Sequence, residues 1–282
     1  MDIKDDLNLL NTIPQVLRAR GFHLYLSNNQ RLTDLWLSGG AAILGHTPAN
    51  QLRELKNTAS RGLYAPYPHF TENRLLKALS KIFPCRVFRL YAAPPNELIK
   101  DWNTETADLH GLNGLARTNE EKTFSSIRFW RPYVDPANPL AADETQFLIP
   151  VIPGIQTWRE GLPFGLCVVA AQNEEALSKL PPGDKLSPVL LSLAARGIHD
   201  IIAAPQRGKP HFPKTAKVLK ESRWQRNGIY LTLKEAPSQA EWETLFKKFL
   251  EAGFLLPPSP QYPLILPGEM SDGEETKLAA AL

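Results

Sequence analysis

Seven basic residues between positions 206 and 226 form the strongest charge signal in the sequence, because only one acidic residue, Glu221, lies among them. They are Arg207, Lys209, Lys214, Lys217, Lys220, Arg223 and Arg226. Such a cluster is typical of a surface for an anionic partner, either nucleic acid or a phosphorylated ligand. It is also typical of a solvated helix and linker between two domains. We favour this second interpretation, because Phe212 and Trp224 are too few to form a stacking platform for bases.

Histidine, cysteine and serine side chains could serve acid–base, metal or nucleophilic chemistry, but their spacing indicates none of these. The histidines are scattered, at His23, His46, His69, His110, His199 and His211. No two have His-x-x-x-His spacing, so we expect no zinc site. His46 lies in a Gly-His-Thr-Pro turn and is predicted to be a hydrogen-bonded structural residue. No serine has the context of a nucleophile elbow. Cys85 and Cys167 are predicted to be small buried hydrophobes rather than reactive thiols.

The composition is that of a globular chain with one large domain or two ordinary ones. The chain has 282 residues, 43% of them hydrophobic, and a formal net charge of +3. No apolar run reaches the roughly 18 residues that span a bilayer, and the acidic N-terminus has no secretory h-region. We therefore expect a cytoplasmic protein with no membrane partner. The 25 prolines stand out, since average usage predicts about 14.

Periodicity and turn residues predict alternating helices and strands. Helices are predicted over residues 4–20, 48–61, 71–83, 186–203 and 238–252, and a last helix begins at 271. Ser238 and Glu241, like Ser271 and Glu274, have capping-box spacing. Strands are predicted over 22–26, 31–36, 86–91, 147–152, 165–171, 228–233, 254–256 and 262–266.

Two blocks of sequence hold an ordered set of features that occur together in one enzyme family. In residues 20–56, the phrase NQRLTD (29–34) follows a hairpin turn and LGHTP (44–48) precedes a helix. Residues 226–282 form the second block, and GLPFG (161–165) before LCVVAA is a shorter third match. In these features the chain resembles the class III aminotransferases. These are PLP-dependent enzymes of fold type I that include the glutamate-1-semialdehyde aminomutases.

The resemblance implies a Schiff-base lysine seven residues before Pro163, where this chain has Gln156. An amide nitrogen is not a nucleophile, so Gln156 cannot form the internal aldimine that PLP catalysis needs. An active enzyme would need a relocated lysine. Lys179 and Lys185 are the nearest candidates after the strand at 165–171.

The resemblance also implies a phosphate-binding turn directly after the strand at 86–91. The segment AAPPNE (92–97) lies there, so that Ala93, Asn96 and Glu97 are degenerate positions. Its two prolines remove N–H donors that a phosphate cradle requires. In the family, a threonine also holds the phosphate across the dimer. Matching Ser187-Pro188 to the family's Asn-Pro pair puts Gly183 at that position, so the hydroxyl is lost.

The spacing predicts that the sheet holding the cofactor is reduced. Only 69 residues separate Tyr91 from Gly161. The family places several strands there, with the ring that stacks on PLP and the aspartate that pairs with its nitrogen. The phrase DETQ (143–146) is similar to a family phrase and makes Asp143 a candidate for that aspartate. It lies too close to Gln156 for the usual spacing.

The predicted fold class is α/β, with a reduced central sheet like that of PLP-dependent transferases, flanked by helices, and a C-terminal α+β small domain. Residues 1–70 are expected to form an N-terminal helix, hairpin and linking helix that pack with the small domain. Residues 71–205 are expected to form a shortened large-domain-like region, and 206–282 the small domain. The resemblance further implies a homodimer.

The combined losses predict an aminotransferase-like protein without PLP catalysis, acting as a noncatalytic binding or scaffold protein. We expect no cofactor and no metal, and a small-molecule ligand could lie in a residual interdomain cleft. The alternative is a PLP-dependent aminotransferase or aminomutase with a relocated lysine. A second alternative is a binder of an anionic partner through residues 206–226, and we do not expect nucleic acid to be that partner.

Overall fold

The computed structural model describes residues 9–98, 127–134, 145–157 and 165–282. These residues divide into two units. The first contains the described residues of 1–47, 133–138 and 206–282, and the second those of 48–132 and 139–205. Helices and strands occur in both units, so the mixed α/β character predicted from the sequence is confirmed.

The first unit begins with a four-stranded sheet. Its first three strands, β1 (Val16–Arg20), β2 (His23–Leu26) and β3 (Arg31–Asp34), pair antiparallel in chain order, and β11 (Phe254–Leu255) lies parallel to β3. The predicted helix over 4–20 is therefore wrong for its described part. Residues Leu9–Thr12 form a short 3-10 helix and 16–20 a strand. Pro14 gives the physical reason, since proline in a helix interior removes a hydrogen bond and forces its neighbour into an extended conformation.

The described part of the first unit also contains a second sheet and three α-helices. The sheet has the order β12-β10-β9, from β9 (Trp224–Asn227), β10 (Tyr230–Leu233) and β12 (Leu264–Ile265). The helices are α5 (Pro213–Leu219), α6 (Gln239–Glu251) and α7 (Asp272–Ala281). Both predicted capping boxes, at Ser238 and at Ser271, are confirmed. The sequence did not predict β9, whereas α5 lies within the segment 206–226 that we interpreted as a solvated helix and linker.

The second unit is built on a mixed sheet with the order β4-β8-β6-β5. Its strands are β4 (Val87–Tyr91), β5 (Ile127–Trp130), β6 (Phe147–Pro150) and β8 (Gly165–Ala171), and the short β7 (Gln156–Thr157) pairs with β8. Among the described strands of this unit, only the β5–β6 and β7–β8 pairs are parallel. The sequence GLCVVAA makes β8 apolar throughout, which suits a strand buried on both faces.

The helices of the second unit are α1 (Ala49–Ala59), α2 (Thr71–Ile82), α3 (Glu174–Ser178) and α4 (Pro188–Ala203). Helices α1 and α2 both pack on α4. The linking helix α1 was expected to pack with the small domain. It belongs instead to the second unit, where the Thr58 and Ser192 hydroxyls are 3.0 Å apart and Asn50 donates to Asp200. Among the described residues, no helix is long and apolar enough to cross a bilayer.

Candidate active site

The turn after β4 is the place where the resemblance puts a phosphate cradle. Pro94 and Pro95 are buried there, and Leu98 packs in the core of the second unit. Ala93, Asn96 and Glu97 are exposed. The first amide of the turn, the N–H of Ala92, donates to Asp184 Oδ2 at 2.8 Å. A carboxylate of the chain itself therefore uses an amide that a phosphate oxygen would need.

Gly183 and Asp184 lie directly against β4. The Asp184 N–H donates to the Leu90 carbonyl at 2.9 Å. A Cβ atom on Gly183 would come within 2.9 Å of the Leu90 carbonyl oxygen and 3.0 Å of Arg89 Cγ. The backbone thus leaves no room for the threonine side chain that the resemblance implies at position 183.

Arg89 and Tyr91 bind the same segment to β4, which lies at one edge of the sheet formed by the described residues. The Arg89 guanidinium donates to the carbonyls of Leu177, Leu180 and Pro181 at 2.8, 2.8 and 2.9 Å. The Tyr91 hydroxyl donates to the Pro181 carbonyl at 2.8 Å. Burial raises the pKa of Tyr91, and the neighbouring Arg89 acts in the opposite direction. Arg89 could have been noticed as a charged residue inside a predicted strand, but its partners could not be inferred from the sequence.

Neither the position implied for the Schiff-base lysine nor the two candidate lysines after β8 provides a buried amine. The backbone of Gln156, in β7, pairs with Gly165 of β8. Lys179 and Lys185 are both exposed, whereas a Schiff-base lysine is normally activated by desolvation or a neighbouring cation. The candidate Asp143 lies outside the described residues.

These residues do not fit PLP. The cofactor needs free amides around its phosphate and an amine at its carbonyl carbon. The turn provides two prolines and an amide already bonded to Asp184, and the position implied for the amine carries Gln156. We therefore derive no catalytic step through this cofactor.

Comparison with known proteins gives the fold a context. The ornithine δ-aminotransferase of Plasmodium falciparum matches with a TM-score of 0.66 at 10% identity, over 97% of this chain and 95% of that chain. A glutamate-1-semialdehyde aminomutase from Pseudomonas aeruginosa gives 0.63 at 12% identity, over 95% and 87%. The N-acetylornithine aminotransferase of Stenotrophomonas maltophilia gives 0.63 at 14%, over 98% of both. The fold is that of PLP-dependent aminotransferases.

Proteins related in sequence indicate no activity for this chain. No protein-family model matches the chain. Two uncharacterised proteins, from Treponema pallidum and Borreliella burgdorferi, are each 26% identical to it. The alignments cover 92% and 95% of this chain and 91% and 90% of theirs. The likeness to aminotransferases is therefore one of three-dimensional structure. At sequence identities of 10–14% it shows the fold and not a catalytic activity.

His46 is a structural residue, as predicted. Its Nε2 lies 2.9 Å from Asp34 Oδ2, while Asp34 Oδ1 accepts the N–H groups of Trp36 and Leu37. Its own N–H donates to the Gly21 carbonyl. The buried carboxylate of Asp34 therefore orders the loop after β3. Among the described residues, no cluster of three or more His, Cys, Asp and Glu side chains could hold a metal ion.

The two cysteines differ in their exposure to solvent. Cys167 is buried in β8, and burial raises the pKa of its thiol to about 12, so its prediction as a small buried hydrophobe is confirmed. The same prediction is wrong for Cys85, which is exposed. Cys85 follows Pro84, which ends the preceding helical stretch, and it lies in the turn before β4 rather than within the strand.

The basic cluster at 206–226 does not form one free surface. Arg207 is buried, and it donates to the carbonyls of Ile43 and Leu266 at 2.8 and 2.7 Å. Burial lowers its pKa to about 10. Lys214 forms an ion pair with Asp272 at 2.6 Å, and Arg226 donates to the Gly228 carbonyl. The exposed members without an ion pair in the described structure are Lys209, Lys217, Lys220 and Arg223.

Proposed function

We propose that this chain is an aminotransferase-fold protein that has lost PLP catalysis and acts as a binding or scaffold protein. One observation carries the proposal. The turn that would hold the cofactor phosphate has buried prolines, and its first amide is bonded to Asp184 at 2.8 Å. Fold alone does not define an activity, so the chemistry of this turn is the stronger argument.

The lost hydroxyl and the lost amine support the same conclusion. Gly183 packs against the Leu90 carbonyl with no space for a side chain. Lys179 and Lys185 are exposed, which does not favour the alternative of an active enzyme with a relocated lysine. Two of the three departures concern the phosphate of the cofactor and one concerns its carbonyl carbon, so we expect that restoring one residue would not restore binding.

PLP binding tests this proposal. The purified protein is incubated with PLP, its aldimine absorbance is measured, and the adduct is reduced with borohydride and mapped. We expect no stoichiometric adduct at a defined lysine. Such an adduct at Lys179, Lys185 or any other single lysine would overturn the proposal, and turnover in a transamination assay with a panel of amino donors would do the same.

Gln156→Lys is the matched control variant. It restores an amine at the implied position and leaves the turn at 92–97 unchanged. We expect it to bind PLP no better than the unmodified chain, since the phosphate cradle remains blocked. Stoichiometric PLP binding by this variant would show that the turn can hold a phosphate despite the bond between Ala92 and Asp184, and it would contradict the proposal.

A binding role is supported by exposed aromatic side chains in the segment between α1 and α2. Tyr64 and Tyr67 are 66% and 56% exposed, and neighbouring exposed apolar groups are typical of interaction surfaces. We propose a second copy of this chain as the partner, in keeping with the homodimer that the resemblance implies. Sedimentation of the Tyr64→Ser/Tyr67→Ser variant tests this idea, because a dimer should shift towards monomer. A monomeric unmodified chain would contradict it.

A further inference from the structure

A groove runs along helix α2 in the second unit. Its volume is about 520 Å³, which lies within the range of small-molecule sites. Ala78 contributes to its floor, and the other lining residues are Phe70, Asn73, Arg74, Lys77, Lys81 and His199. None of the described residues that line the groove is acidic.

Two of the three cationic residues that line the groove have no counter-ion among the described residues. Arg74 forms an ion pair with Glu54 at 2.7 Å, so its charge is balanced. Lys77 and Lys81 are exposed and form no ion pair within the described part of the chain. The two exposed lysines therefore give this face of α2 a net positive charge beside the groove, whose own wall is formed almost entirely by carbon atoms.

The spacing of the cations suits a ligand with several anionic groups in a row. Positions 74, 77 and 81 are three and four residues apart, so they lie on one face of α2. They span seven residues, or about 10 Å along the helix axis. A single carboxylate would contact one or two of these cations, whereas a chain of phosphoryl groups could contact all three.

Phe70 extends the same face by one turn. It lies four residues before Arg74, and its side chain is 61% exposed. Its ring contacts that of His69, with the centroids 4.2 Å apart. An exposed aromatic ring beside a row of cations can stack with a planar ring of a ligand, as it does where proteins bind bases.

His199 of α4 also lines the groove, and its pKa depends on the charges around it. Burial lowers the pKa of His199, and Lys81, Arg196 and Arg74 lower it further, while Asp200 acts in the opposite direction. Arg196 is paired with Asp200, and Arg74 with Glu54. The neutral imidazole adds a hydrogen-bonding group without a charge. A bound anion would favour its protonated form.

We propose that this groove binds a nucleotide, with the phosphoryl groups on Arg74, Lys77 and Lys81 and the base against Phe70. The inference does not rest on the loss of PLP catalysis, because residues 92–97 and 183–184 take no part in it. A chain that formed a PLP adduct could still bind a nucleotide here, and a chain without PLP could fail to do so.

Calorimetric titration of the full chain tests the proposal, with ATP, inorganic tripolyphosphate and adenosine as probes. ATP should bind more tightly than tripolyphosphate, and adenosine most weakly. Raising the salt from 50 to 200 mM should weaken ATP binding several-fold, as expected for contacts with phosphates. No detectable ATP binding at low salt would overturn the proposal.

Matched variants locate the site. Lys77→Ala/Lys81→Ala should weaken ATP and tripolyphosphate binding about tenfold or more, because it removes two charge-assisted contacts. Lys217→Ala/Lys220→Ala removes two exposed lysines from the 206–226 cluster and should leave binding unchanged. Loss of binding in the second variant, or none in the first, would place the anion elsewhere and overturn the proposal.

The aromatic contact has its own readout. Phe70→Ala should weaken ATP binding about five- to tenfold and leave tripolyphosphate binding unchanged, since stacking involves only the base. An equal effect on both probes would contradict the assigned orientation.

In NMR titrations, ATP should raise the pKa of His199, with His199→Gln identifying the signal. An unchanged pKa at saturating ATP would contradict an anion in this groove.

Discussion

At the scale of single residues, Glu274 links the two ends of the first unit. Its Oε1 accepts hydrogen bonds from Arg31 and Thr33 and lies 2.8 Å from His23 Nε2. Its Oε2 accepts from the Ser271 N–H and hydroxyl in the capping box. Burial alone would raise the pKa of Glu274, but the bonds from Ser271 and His23 outweigh this effect and lower it to about 2.

This carboxylate makes stability depend on acid pH. Because its folded pKa of about 2 lies below the model-peptide value of 4.5, its contribution is complete above pH 4.5 and is lost as the pH falls towards 2. Glu274→Gln should lower the free energy of unfolding at pH 7 by about 2 kcal/mol. It should also flatten the pH dependence between pH 5 and 3. Urea denaturation measures both, and the exposed Glu235→Gln should change neither. Equal curves for the two variants would contradict the assignment.

The cysteines give a second prediction at this scale. Exposed Cys85 should react with a thiol reagent in the native protein, and buried Cys167 should react only after unfolding. Counting modified thiols before and after denaturant should therefore give about one and then two. Cys85→Ser should abolish native labelling. Native labelling that persists in this variant would show that β8 opens.

At the scale of elements, helix α4 is held close to the loop after β6 by a glycine. A Cβ atom on Gly197 would come within 2.0 Å of the Pro153 carbonyl oxygen. No residue with a side chain fits there unless the helix or the loop moves. Gly197 therefore sets how closely α4 packs against this loop. Helices α1 and α2 both pack on α4.

Alanine substitutions separate this packing effect from helix propensity. Alanine is usually better than glycine within a helix by about 1 kcal/mol. Gly197→Ala should nevertheless lower the free energy of unfolding by about 2–3 kcal/mol through overpacking. Gly273→Ala in α7, where a Cβ meets nothing within 4 Å, should be neutral or stabilising. Thermal denaturation of both variants measures the difference. A stable Gly197→Ala variant would show that the loop can yield.

At the scale of the whole molecule, residues from both ends of the described chain form the first unit together. The backbone hydrogen bonds of Leu35 are an example. Its N–H donates to the Leu255 carbonyl at 2.9 Å, and its carbonyl accepts from the Ile265 N–H at 2.7 Å. Its side chain is completely buried. The N-terminal segment therefore joins β11 to β12 of the C-terminal segment within one unit.

Truncating Leu35 should loosen the C-terminal segment although the mutation lies more than 200 residues before it. Leu35→Ala should cost about 3 kcal/mol of stability, as for other buried leucines. Limited proteolysis should then cut faster between residues 254 and 266. Leu17→Ala, at an exposed position of β1, should stay within about 0.5 kcal/mol of the unmodified chain. Unchanged proteolysis in Leu35→Ala would contradict this role.

Local sequence predicted much of the fold, because caps and apolar periodicity are properties of short segments. The strand Gly165–Ala171 has the predicted bounds, and both capping boxes formed as predicted. Four strands were not predicted, β1, β5, β7 and β9, because each is only two to five residues long. Their hydrogen-bond partners, β2, β6, β8 and β10, decide their conformation.

The sequence by itself determined which residues stand at the positions that the family resemblance implies for PLP. Gln156 stands at the implied lysine position, and the prolines at 94 and 95 have no amide hydrogens to donate, whatever the fold. Only the tertiary structure decided what the residues around those positions contact. It brings Asp184 to the amide of Ala92 and packs Gly183 on β4. It also buries Arg207 and sets Lys77 and Lys81 on one exposed helix face. A residue's type fixes which bonds it can form, but burial and neighbours distant in sequence decide which bonds it does form.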